Sequence, residues 1–195
     1  MFPLNLPNAL TVVRILLVPV LVVALLEETP NGSTIAAIVF AVAAFTDGLD
    51  GYIARSRGSV TTFGKVMDPV ADKLLIAAAL IALVSLDRLA AWVAMVIIAR
   101  EFAVSGLRIF PGAQGVVIPA SQLGRLKTVV QVAAVLALIA ANDHTDAWVQ
   151  TLVYASVAIT IVSGVDYFLN VRRRIEEAAQ RRRETARLGR HTQAG

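Results

Sequence analysis

Cysteine is absent, which excludes disulfides, thiolate metal sites and thiol nucleophiles at once. Histidine is nearly so. The two present, His144 and His191, fall in an outward loop and a polar tail, and neither suits the acidic site described below. Charge is scarce too: 16% of the 195 residues are charged, against about a quarter in an ordinary soluble domain. Apolar residues fill the gap at 57%, with a mean hydropathy of +0.70. That balance predicts a polytopic membrane protein of one domain. No Lys or Arg precedes Arg14 and no small-residue cleavage site follows the first apolar run, so this run is expected to be a retained membrane helix and not a cleaved leader. Internal repeats and low-complexity segments are lacking as well.

What is present are six apolar stretches, roughly 7–26, 34–55, 66–86, 89–108, 122–141 and 147–170. Each is near the 20 or so residues that cross a hydrocarbon core of about 30 Å. Long runs without alternation favour helices over strands. Breakers separate them: Thr29–Ser33, Leu86-Asp87-Arg88, Pro111–Gly115 and Asn142–Asp146. The expected fold is an all-α integral membrane protein with six transmembrane helices and a cytosol-facing polar cavity. Residues 1–171 form the membrane domain and 172–195 a basic cytoplasmic tail. Arg55, Arg57 and Lys65 lie between the second and third stretches, Arg108 and Arg125 around the fourth and fifth, and eight arginines between Arg172 and Arg190. The opposite connections hold Arg88 alone against several acids, so both termini are expected in the cytoplasm of a cell-membrane protein. The tail is helix-compatible, and reads first as a solvated topogenic segment. Pro19 is expected to kink the first helix, Trp92 and Trp148 to anchor outer helix ends, and Asp166 and Tyr167 to pair with the arginine run.

Against this apolar background stand Asp47, Asp50, Asp68 and Asp72. An ionised carboxylate at the centre of a bilayer helix costs roughly 2.5–3.5 kcal/mol on insertion scales, so four need strong compensation. Asp47 and Asp50 share a helix face at i,i+3, while Gly64, Asp68 and Asp72 form one stripe at i, i+4, i+8. The short connection makes the two helices antiparallel neighbours. Oxygen ligands alone favour hard cations such as Mg²⁺ or Mn²⁺, and paired hard cations favour phosphoryl chemistry. Glycines on the same stripes let a phosphate approach the backbone, and Arg55 could neutralise one. Pairing of these acids with Arg55, Lys65 and Lys73 is the competing structural explanation. It accounts poorly for two in-phase acid pairs.

The run D47-x-x-D50-G51-x-x-A54-R55, eight residues, G64-x-x-x-D68-x-x-x-D72 resembles the signature of the CDP-alcohol phosphotransferase family without departure. The resemblance implies that Asp47, Asp50 and Asp68 hold two Mg²⁺ or Mn²⁺ ions, with Asp72 contributing to the second and acting as general base. It also implies that Gly51, Arg55 and Gly64 line the CDP site, Thr61 donates to the diphosphate, and Asn8 and Thr11 touch the nucleotide. A homodimer is implied too. The expected partners are CDP-diacylglycerol, an acceptor alcohol and membrane lipids, with no nucleic acid.

Arg100, Arg108 and Lys127 lie near the inner ends of later helices, and could receive a second anionic group. Snorkelling to head groups competes for Arg125 especially, and Arg14 could either reach the cavity or snorkel. The segments N5–R14, F63–L74, R100–R108 and G124–Q131 resemble the branch of the family that accepts sn-glycerol 3-phosphate, apart from Arg125 where lysine is commoner. This implies phosphatidylglycerol phosphate and CMP as products, with Arg100, Arg108 and Lys127 holding the acceptor phosphate. Branches using phosphatidylglycerol (cardiolipin synthases) or an inositol phosphate remain open, as does, remotely, a divalent-metal transporter.

Overall fold

A computed structural model describes the backbone of residues 6–27, 31–57, 62–113 and 122–193, and the side chains of 9–27, 31–46, 67, 69–107, 122–177 and 180. The chain is a membrane protein whose described residues form six helices and no strand: α1 Leu6–Leu26, α2 Gly32–Arg57, α3 Thr62–Ser85, α4 Ala91–Ala113, α5 Gln122–Ala140 and α6 Ala147–Gln193. Helices are what such runs must form, because a lipid-embedded backbone has to satisfy its hydrogen bonds within the segment. Among the described residues, three stretches are long and apolar enough to cross a bilayer: Ala9–Leu26, Gln122–Ala140 and Ala147–Glu177.

The helices follow the expected stretches with three differences. α3 begins at Thr62, ahead of the expected 66. α4 runs through Pro111 and Gly112 to Ala113, where a break was expected. A proline near a helix end removes one backbone bond without ending the helix. α6 is one helix of 47 residues, so the basic tail continues the last apolar segment without a break. Arg172–Glu176 and Arg173–Glu177 pairs, at 2.9 and 3.6 Å, support it at i,i+4 spacing. Pro19 lies inside α1, whose helix continues through it.

α1 packs on α2 and α3, and α5 packs on α6, with α4 also against α6. Contacts of α2 with α5 and of α3 with α4 and α5 join these groups. Small residues let the rods approach: Ala36, Ala43, Ala79, Ala82, Ala134 and Ala137 are buried, interleaved with Leu21, Phe40, Leu75, Leu83, Leu138 and Ile139. In lipid such contacts hold helices together through close packing, since hydrocarbon offers no hydrophobic drive between them.

The end of α3 is sealed by a recognisable motif. Arg88 N donates to Leu83 O at 3.0 Å and Asp87 N to Val84 O at 3.1 Å. Asp87 has φ 56°, the left-handed residue this two-bond cap requires. The Arg88 side chain then donates to Ser33 Oγ and to Ile139 O, both at 3.4 Å, tying the starts of α2 and α4 to the end of α5. In the next connection at this end, the Thr145 hydroxyl and amide both donate to Asp143 Oδ1, which holds that carboxyl below its ordinary range. Trp92 and Trp148 are exposed here, as anchors of helix ends should be, with Trp92 stacked on Tyr154.

Candidate functional site

At the opposite end of the bundle the polar side chains converge. Asp72 stands near the middle of α3, Arg100 and Glu101 near the middle of α4, Lys127 in the second turn of α5, and Tyr167 well along α6. Antiparallel neighbours bring these different depths in sequence to one level in space. Together they line a cavity of about 400 Å³ that Lys73 and Arg125 also border.

Lys127 is 5% exposed and donates to Glu101 Oε1. The same carboxylate oxygen accepts from Arg100 Nη1 at 3.3 Å. Glu101 therefore sits between two cations, Lys127 buried and Arg100 partly buried at the cavity wall. The charge of Asp72 also acts on the Lys127 ammonium. Burying a lysine is costly unless it is paired, and here a carboxylate satisfies it. Lys73, by contrast, turns its ammonium to Pro69 O at 3.1 Å.

α6 supplies the seat for Arg100. Arg100 Nη2 donates to Ser163 Oγ at 3.0 Å, and Ser163 in turn donates to Thr160 O at 3.1 Å. At Gly164 an added Cβ would stand 3.3 Å from Arg100 Cγ, tighter than an ordinary contact. The bare backbone there makes room for the arginine stem. Arg100 Nε is buried without a hydrogen-bond partner among the described residues.

The expected site residues divide accordingly. Asp72, Arg100 and Lys127 come together at the cavity. Positions 47, 50, 51 and 55 belong to the α2 helix and 64 and 68 to α3, but the side chains of Asp47, Asp50, Gly51, Arg55, Gly64 and Asp68 lie outside the described residues. The same holds for Asn8 and Arg108, and Thr61 lies outside them altogether. Thr11 is buried on α1 and does not line the cavity. Arg14, one turn on, is 1% exposed, so it does not snorkel. Among the described residues no three acids or histidines cluster as a metal site, and of the four aspartates only Asp72 is among them. Its carboxylate borders an open polar space, which suits a ligand to a hard cation.

Two contributors were not anticipated as such. Glu101 was visible beside Arg100, yet its grip on Lys127, 26 positions away, depends on the α4–α5 geometry. Tyr167, expected to pair with the arginine run, is buried and lines the cavity. Asp166 accepts from Asn170 at 3.1 Å.

The family model described as CDP-alcohol phosphatidyltransferase matches residues 4–162. A Bacillus subtilis protein named CDP-diacylglycerol--glycerol-3-phosphate 3-phosphatidyltransferase is 42% identical over 180 residues, covering 84% of this chain and 93% of its own. A Mycobacterium tuberculosis protein named probable phosphatidylglycerophosphate synthase is 40% identical over 167 residues, 84% of this chain and 79% of its own. A rice protein named cardiolipin synthase (CMP-forming) is 37% identical over 174 residues, 82% of this chain and 53% of its own.

Proposed function

We infer that this chain, which belongs to the CDP-alcohol phosphatidyltransferase family, is a membrane transferase that makes phosphatidylglycerol phosphate and CMP from CDP-diacylglycerol and sn-glycerol 3-phosphate. Relatives bearing that activity in their names match most of the chain. The observation that carries the choice of acceptor is the meeting of Arg100 and Lys127 beside Asp72 in one cavity. Two cations suit a phosphate monoester, which brings close to two negative charges and three strong acceptor oxygens. A carboxylate within the same space suits the alcohol at the other end of so short a molecule.

The residues then divide the work. Arg100 and Lys127, with Arg108, hold the acceptor phosphate and fix its direction. Asp72 takes the proton from the primary hydroxyl as its oxygen attacks the β-phosphorus of CDP-diacylglycerol. The new P–O bond forms as the bond to CMP breaks, and CMP leaves with the electron pair. Gly51, Arg55, Gly64 and Thr61, with Asn8 and Thr11, receive the nucleotide and its diphosphate. Asp47, Asp50, Asp68 and Asp72 would hold two Mg²⁺ or Mn²⁺ ions, which when bound would neutralise the diphosphate and stabilise the departing CMP. The acyl chains stay in the bilayer throughout.

The bias of basic residues supports an orientation with both termini, and the cavity, on the cytoplasmic side of the cell membrane. Assembly as a homodimer completes the proposal, and mass measurement of the protein in native-like membrane discs tests it. Product identification tests the reaction. Purified protein with CDP-diacylglycerol and either Mg²⁺ or Mn²⁺ should release CMP with glycerol 3-phosphate, and not with phosphatidylglycerol or an inositol phosphate. Turnover with phosphatidylglycerol alone would make it a cardiolipin synthase, the activity named for the rice relative.

A further inference from the structure

One buried polar group borders the site without a role in the reaction as described. Gln131 lies one helical turn beyond Lys127 on α5, on the same face. It is 2% exposed, and its Oε1 has no hydrogen-bond partner among the described residues. Leaving a buried amide oxygen unsatisfied is costly, so its position calls for a donor. Beside it a small chamber of about 40 Å³ is shared with Asp72, Glu101 and Lys127. That is space for a few waters or a hydroxyl group, short of the whole acceptor.

The acceptor has three carbons. Its phosphate goes to the cations at one end, and the hydroxyl that reacts goes to Asp72 at the other. Its remaining functional group is the central hydroxyl, midway between them. Gln131 borders that space together with Lys127 and Asp72, and its amide oxygen has no hydrogen-bond partner among the described residues.

We propose that Gln131 is a specificity-determining residue, whose amide oxygen accepts a hydrogen bond from the central hydroxyl of the acceptor. The assignment rests on the glycerol 3-phosphate reading. Sites built to hydrogen-bond a substrate hydroxyl reject analogues lacking it, because the buried partner is then left unpaired. A neutral amide also discriminates without adding charge to a space already holding two carboxylates.

The test compares two acceptors on the purified full-length protein: glycerol 3-phosphate and 3-hydroxypropyl phosphate, which lacks only the central hydroxyl. Wild type should favour glycerol 3-phosphate in kcat/KM by about tenfold or more. Gln131→Leu should bring the two within about threefold, mainly by losing rate on glycerol 3-phosphate. Gln131→Asn, with its amide drawn back by one methylene, should fall between. Parallel loss on both acceptors in either variant, or a wild type indifferent to the hydroxyl, overturns the assignment while leaving the activity in place. If Gln131→Leu does not fold, Gln131→Asn and the wild-type preference decide. Wild type that releases no CMP with glycerol 3-phosphate, but does so with another alcohol, overturns the functional reading itself.

Discussion

The two ends of the bundle treat a shielded arginine in opposite ways. At the Asp87 end, Arg88 spends its donors on a serine hydroxyl and on a carbonyl in the last turn of α5. It meets dipoles that the fold leaves over, and the apolar core closes beneath it around Leu83, Val93 and Ile139. At the Asp72 end, Arg100 meets a carboxylate, a hydroxyl and a cavity. Helix ends expose partial charges of about half a unit, which one guanidinium can satisfy completely. A full carboxylate shared by two cations leaves positive charge over, and leaves space beside it. The first arrangement finishes a structure. The second keeps a place for an anion, and that difference separates a capping residue from a binding one more reliably than burial does.

The most severe way to probe the contrast is to remove the one described carboxylate assigned to chemistry. Asp72→Asn keeps the shape of the cavity and removes the base. Turnover should fall by about 10²- to 10⁴-fold with the thermal midpoint nearly unchanged, since general-base catalysis contributes on that scale. CMP release and a detergent melting curve on the same preparation check both halves. A variant that retains more than a tenth of wild-type kcat would remove Asp72 from the reaction.

Next comes a matched pair of arginine deletions. Arg100→Ala should raise KM for glycerol 3-phosphate by about ten- to a hundredfold, because hydrogen bonds to charged groups are worth about 1.5–3 kcal/mol. Arg88→Met should instead lose about 1–2 kcal/mol of stability and leave KM alone. Equal KM effects from both would dissolve the distinction between the two ends. Glu101→Gln is gentler and turns on sign. Glu101 competes with the substrate phosphate for Arg100 and Lys127, so removing its charge should lower KM by roughly fivefold, equivalent to about 1 kcal/mol. Mere disruption of the site would raise KM.

The sequence showed the helices clearly because lipid imposes a single solution on long apolar runs. The six stretches were off by only a few residues, except where Pro111 failed to stop α4 and the arginine tail prolonged α6. Both exceptions concern helix ends, where one lost bond or a run of solvated charges tips a small balance. Asp72, Arg100 and Lys127 were legible because charge in an apolar helix is conspicuous. Gln131, Ser163 and Gly164 were not, and Glu101 was visible without its partner Lys127. A glutamine or a glycine in a membrane helix carries no signal of its own, and their importance arises only from what α4, α5 and α6 set opposite them.

The smallest expected effect lies at the structural end and sharpens the comparison from that side. Asp87 occupies the left-handed position of the α3 cap at φ 56°, which costs an L-residue with a Cβ about 1–2 kcal/mol, somewhat less for aspartate. Its negative charge also sits at the negative end of the α3 dipole. Asp87→Gly relieves both and gives back some chain entropy to the unfolded state, so a net gain of under about 1 kcal/mol is expected. Asp87→Ala keeps the Cβ, loses the local hydrogen bonding that lets aspartate adopt this conformation, and should cost about 1 kcal/mol. Melting in a fixed detergent separates the two by sign, and neither should move kcat or KM. A change in turnover from either would mean that the α3–α4 connection transmits to Asp72 and Arg100, 15 residues before and 13 after it on the flanking helices, and the two ends would then be mechanically one.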